Sequence, residues 1–98
     1  MNDDVTFELV ITETAVGELA GVRVGVHSVW EESWTDERGF SRRGPRATLS
    51  VMGPPPDDFD VRVHEGSEVH FQGRYFRVTA ISAPIDAHGT VTLLEIVG

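Results

Sequence analysis

The sequence has no cysteine and no lysine, and only one tyrosine, one asparagine and one glutamine. The missing cysteine excludes disulfides, thiolate zinc sites, iron–sulfur clusters and cysteine nucleophiles. The missing lysine excludes Schiff-base chemistry and a Walker-type phosphate loop, so phosphate would have to be held by arginine or backbone amides. Apolar runs are short: none approaches the ~18 residues of a membrane-spanning helix, and the acidic start Met1-Asn2-Asp3-Asp4 is unlike a secretory leader. The small residues Gly17, Gly21 and Gly25 recur every four positions, but Glu18 and Arg23 lie between them, so the spacing carries no membrane-helix meaning. A cytoplasmic protein is expected.

Of the 98 residues, 40% are hydrophobic and 24% charged, the composition of one soluble globular domain, taken as residues 1–98. Sixteen acidic residues against eight arginines leave a net charge of -8. Such a surface repels nucleic-acid phosphate and anionic lipid, so no nucleic acid and no membrane is expected as a partner.

Apolar residues alternate with polar ones, and no segment keeps helical spacing for three turns, which predicts an all-β fold. Val5, Phe7, Leu9 and Ile11 mark a strand near 5–12, and residues 12–20 read as a loop or a single helical turn. Val22, Val24, Val26 and Trp30 share the inner face of a long second strand, which assigns Trp30 to the core. Ala47, Leu49 and Val51 mark a third strand, ended by Gly53 and Pro54-Pro55-Pro56 because proline donates no ladder hydrogen bond. Strands near 59–64, 68–72, 74–81 and 90–97 follow. The expectation is an antiparallel β-sandwich or β-barrel of about seven strands.

Two registers can be written down. Gln72-Gly73 forms a tight turn that pairs Val69 with Phe76 and Glu68 with Arg77. Glu65-Gly66-Ser67 forms a three-residue loop that pairs 64 with 68 and 62 with 70, although its glycine is central where such loops carry it last. The result is a three-stranded meander burying Val61, Val63, Val69, Phe71, Phe76 and Val78. Its other face gathers Arg62, His64, Glu68, His70, Tyr75 and Arg77. As a site, that face would take an anion on its arginines, with histidines able to change charge. His64, Glu68 and His70 are also possible metal ligands, but without the HExxH spacing. As plain structure, it is a solvated face joined by salt bridges.

Asp36-Glu37-Arg38-Gly39 suits a type I turn, so residues 26–35 and 40–51 form a protruding hairpin arm with Glu32 opposite Arg43. Trp34 and Phe40 near its tip, with Arg42 and Arg43, have the chemistry of interface anchors. The competing reading folds these aromatics back on the body. Asp57, Asp58 and Asp60 lack the spacing of a calcium loop. Glu65 with Glu68 are paired carboxylates with no cleft indicated. The serines lack a nucleophile-elbow context.

The run Val63 to Val78, with its two glycine turns and its aromatic-plus-valine strand, together with Gly21-Val22-Arg23-Val24, resembles short uncharacterised all-β proteins of actinobacteria. The resemblance covers about two thirds of the length and carries over no functional residue. The same run is faintly similar to a cupin strand pair, but the cupin His-x-His followed by Glu is absent. The leading expectation is a non-enzymatic domain with no cofactor, no catalytic residue and no metal. It binds a protein partner through Trp34, Phe40, Arg42 and Arg43 together with its acidic surface, in the manner of an inhibitor or immunity protein. The alternative is small-ligand or metal binding on the polar face of residues 62–77. Exposed strand edges offer a route to a homodimer.

Overall fold

A computed structural model describes residues 8–19 and 21–96. The described chain forms eight strands and no helix: β1 Glu8–Thr12, β2 Val16–Leu19, β3 Val22–Thr35, β4 Ser41–Met52, β5 Asp58–His64, β6 Glu68–Phe71, β7 Arg74–Ser82 and β8 Thr90–Ile96. They build two antiparallel four-stranded sheets, one in the order β1-β8-β7-β6 and the other β2-β3-β4-β5. The all-β expectation holds with one strand more than the expected seven. Val5 and Phe7 lie outside the described residues, and β1 as described buries Ile11 and leaves Val10 exposed. No helix among the described residues is long and apolar enough to cross a membrane.

The inner faces follow from alternation, since every second side chain of a strand points to the same side. Leu19, Val22, Val24, Val26, Ala47, Leu49, Val51 and Val63 come from one sheet. Ile11, Val69, Phe71, Phe76, Val78, Ile81, Val91 and Leu93 come from the other. Phe71 of the edge strand β6 and Phe76 of β7 stack with centroids 4.6 Å apart, both fully buried.

Alternation breaks once in each sheet, in the same way. The β3–β4 register shifts between His27 and Trp30, and the β7–β8 register shifts between Val78 and Ala80. In each case the inward spacing lengthens from two residues to three, from Val26 to Val29 and from Val78 to Ile81. A β-bulge inserts one residue and turns the following side chains to the opposite face. A glutamate from an earlier loop stabilises each bulge. Glu13 accepts from the Val29 N–H at 3.1 Å and the Gly89 N–H at 3.1 Å, and Glu65 accepts from the Ile81 N–H at 3.0 Å. Gly89 is required there, because a Cβ would strike the Val29 side chain and come within 2.6 Å of the Ser82 carbonyl oxygen.

The first bulge overturns the assignment of Trp30 to the core. With the parity of β3 inverted after Ser28 (φ 56°), Val29 faces inward and Trp30 is 52% exposed on the outer face. Residues 16–19 are also not a loop or helical turn. The chain reverses at Thr12–Ala15, where the Ala15 N–H donates to the Thr12 carbonyl at 2.9 Å, and then adds β2 beside β3.

The Gln72-Gly73 turn has both residues at positive φ, 54° and 71°, as a type I′ hairpin demands. The pairs Val69 with Phe76 and Glu68 with Arg77 are present as expected. The second register is corrected: β5 pairs with β4, with Val63 opposite Ala47 and Val61 opposite Leu49, and no ladder joins it to β6. Gly66, at φ 96°, turns the chain from one sheet to the other, and its N–H and the Ser67 carbonyl bond Val78 of β7. Val61 and Val63 therefore belong to the sheet opposite that of Val69 and Phe71 and not to the same one.

β3 and β4 extend as a two-stranded ribbon beyond their neighbours, since β2 covers β3 only at Val22–Gly25 and β5 covers β4 only from Arg46 to Met52. Glu32 lies opposite Gly44, one step from the expected Arg43. Pro45, opposite Glu31, sits on the ribbon edge past the end of β5.

Candidate functional site

Past the bulge, Trp30, Glu32 and Trp34 share the outer face of β3, beside Arg42 and Arg46 of β4 and Arg62 and His64 of β5. These side chains interleave into one stack. The Arg62 guanidinium lies 4.8 Å from the Trp30 ring centroid and that of Arg46 lies 4.7 Å from the Trp34 centroid, both within cation–π range. The His64 ring stacks on Trp34 at 5.1 Å, and Arg42 approaches the same tryptophan at 5.9 Å.

Glu32 joins the two halves. Its Oε1 accepts from Trp30 Nε1 at 2.7 Å and Arg62 Nη2 at 3.0 Å, and its Oε2 accepts from Arg46 Nη1 at 3.2 Å. These donors, the Arg62 hydrogen bond first and the Trp30 indole second, hold the Glu32 carboxyl below its ordinary range. Arg62 Nη1 also donates to Thr48 Oγ1 at 3.1 Å and to the Ser28 carbonyl at the bulge. Arg46 Nε is buried without a partner.

At the ribbon tip, Asp36 organises the turn. Its Oδ1 accepts from the Phe40 N–H at 2.9 Å and the Arg38 N–H at 3.0 Å, and its Oδ2 from Arg42 Nη1 at 3.3 Å. The Phe40 amide foremost, followed by the Arg38 amide and the Arg42 guanidinium, holds its carboxyl below the usual range against a smaller cost of burial. The Gly39 N–H donates to the Asp36 carbonyl at 2.9 Å, which is the expected type I turn, and Gly39 takes φ 86°.

Of the four residues expected at a partner interface, Phe40 is 62% exposed, and Arg42 and Arg43 are exposed. Trp34 is not a free anchor: it lies half-buried between Arg46 and His64, folded back on the body. Trp30 takes the exposed position instead. At the base of the ribbon it borders a groove of about 440 Å³ with Val29, Pro84 and Ile85, where Pro84 and Ile85 are exposed. The sequence signal for this is the three-residue step from Val26 to Val29.

The six residues expected to form one ligand-binding face are divided between the sheets. Glu68 pairs with Arg77 at 2.9 Å and His70 stacks on Tyr75 at 4.3 Å on one sheet, whereas Arg62 and His64 belong to the stack on the other. The cause is the separation of β5 from β6. No three His, Asp or Glu side chains among the described residues converge on a metal position, so His64, Glu68 and His70 do not form one. Glu65, committed to the Ile81 amide, is not paired with Glu68.

No protein-family model matches the chain, and no match is found among the curated proteins or the solved structures.

Proposed function

We propose that the protein is a non-enzymatic binding domain that captures a protein partner on the outer face of the β3–β4 ribbon. The observation that carries this reading is the interlocked stack from Trp30 through Arg62, Glu32 and Arg46 to Trp34. It holds a broad aromatic and arginine surface rigid before any partner arrives, so little side-chain freedom is lost on binding. Trp and Arg dominate binding energy at protein interfaces, and Trp30, Phe40 and Arg42 are exposed members of this surface, whereas Arg43, opposite Ser33, lies on the other side of the ribbon.

Charge supports the same reading. Residues 30–46 hold four arginines and four acids, so the whole net charge of -8 resides on the rest of the chain. A basic partner would be steered by that field and anchored by the neutral ribbon. An inhibitor or immunity-type protein acting on a basic toxin or nuclease is the concrete form of this proposal.

The test compares co-purification from the source cells by wild type, by a Trp30→Ala/Phe40→Ala/Arg42→Ala variant and by a His70→Ala/Tyr75→Ala control on the other sheet. One protein retained by wild type and control and lost by the ribbon variant is the expected result. Equal retention by all three would remove the ribbon face as the interface.

A further inference from the structure

Between β5 and β6 the two sheets leave a seam. These are the edge strands of the two sheets at this end of the molecule, joined at one end by the His64–Ser67 turn, where the Ser67 N–H donates to the His64 carbonyl at 3.0 Å. At the other end Asp57 Oδ2 accepts from Gln72 Nε2 at 2.8 Å and from the Gln72 N–H at 3.2 Å. No ladder bonds close the seam.

The direction of the free backbone groups follows from the turns. The Gly53 N–H donates to the Asp57 carbonyl, so Val51 with Phe59, Leu49 with Val61 and Ala47 with Val63 are the hydrogen-bonded pairs of β4 and β5. The N–H and C=O groups of Asp58, Asp60 and Arg62 then face the seam. Only Arg62 has a further contact there, its carbonyl lying 3.5 Å from Arg46 Nη2. On β6 the two-residue turn makes Phe71–Arg74 and Val69–Phe76 the bonded pairs, so Glu68 and His70 also turn their backbone groups to the seam.

A groove of about 410 Å³ opens at the His64–Ser67 end of the seam, with Val61 and Val63 in its wall and Glu37 and Glu68 at its sides. Glu37, Asp58 and Asp60 enter no ion pair among the described residues, and the arginines nearest the groove are already matched, Arg62 by Glu32 and Arg77 by Glu68. Unpaired edge groups attract a strand, and surplus carboxylates select one with positive side chains.

We propose that the β5–β6 seam accepts an extended segment of a partner protein whose side chains alternate apolar and basic, as an added strand. Its backbone bonds Asp60 and Arg62 on one side and Glu68 and His70 on the other. Its apolar side chains extend the layer of Val61 and Val63, and its basic ones meet Glu37, Asp58 and Asp60. The groove borders the ribbon face at Glu37, Arg62 and His64 but is lined by none of Trp30, Phe40 and Arg42, so variants at those three positions test the ribbon face and leave the seam in place.

The probe is a capped hexapeptide alternating valine and arginine, with one alternating valine and glutamate as control, titrated into the isotopically labelled full chain and followed by amide exchange. Slowed exchange at Asp60, Arg62, Glu68 and His70 is expected, with the arginine peptide binding at least about tenfold tighter at low salt. Asp60→Pro removes one seam-facing N–H and no β4 ladder bond, so it should abolish binding with little change in the melting temperature. Phe40→Ala should bind the peptide as wild type does. Three results would each overturn the proposal: no protection, equal affinity for the two peptides, or seam amides already protected without peptide in a dilution-dependent way. The last would assign the seam to a second copy of the chain.

Discussion

The Arg62 guanidinium covers the Trp30 ring at 4.8 Å while Glu32 grips both, accepting from the indole on one oxygen and from the guanidinium on the same one. One carboxylate thus orients an aromatic plane and the cation above it.

Acid should weaken the fold through Glu13, Glu32 and Asp36. All three are depressed below ordinary values of 4.5, 4.5 and 3.8, Glu13 chiefly by the Gly89 and Val29 amides. A group whose folded-state value is lowered stabilises the fold fully above its unfolded value and loses that contribution as pH falls through the folded one. Melting temperature should therefore be flat from pH 7 to about pH 5 and fall below it. Glu32→Gln should melt lower than wild type at pH 7, and the gap should narrow in acid; a constant gap would separate Glu32 from this effect.

Gly89→Ala should destabilise by about 1–3 kcal/mol, since the added methyl meets the Val29 side chain and a backbone oxygen that cannot move aside. Gly44→Ala, with open space around it, should stay within about 0.5 kcal/mol of wild type. Urea denaturation of the two variants measures the contrast.

Trp30→Ala should cost no more than about 1 kcal/mol, the range of a cation–π contact at an exposed site. Phe76→Ala, which empties the buried stack on Phe71, should cost about 3–5 kcal/mol. Equal losses would mean that Trp30 belongs to the core after all.

Gly73→Ala should destabilise by about 1–2 kcal/mol, because alanine must adopt the left-handed conformation that the hairpin imposes at φ 71°. An unchanged unfolding midpoint would indicate that the turn relaxes to another type.

Most of the fold was legible because alternation and turn chemistry agreed. The β6–β7 register, the end of β4 before Pro54, the inner residues of β4 and β6, and Phe76 and Val78 of β7 all follow from that agreement, whereas Ile81 lies past the bulge in β7. The partner of β5 was not legible. Val61 and Val63 alternate in the same way whether they sit beside Val69 and Phe71 in one sheet or face them across the core, and only long-range pairing distinguishes the two. The central position of Gly66 was the local sign that this corner is not a hairpin. For the candidate site, Phe40, Arg42 and Arg43 were legible as exposed side chains. The outward turn of Trp30 was not, because a single inserted residue in β3 reverses every side chain after it. Nor was the partial burial of Trp34, which depends on Arg46 of β4 and His64 of β5 packing over the ring.

Pro45 gives the projecting ribbon a further property. The Asp36 N–H donates to the Phe40 carbonyl, so by alternation Trp34 with Arg42 and Glu32 with Gly44 hold the two strands together, and residue 45 faces outward. A proline at that place offers no hydrogen for a neighbouring molecule to capture. That stretch of the hairpin edge is thereby a poorer template for fibril-like stacking, and Pro45→Val should raise self-association, measured as a concentration-dependent rise in light scattering.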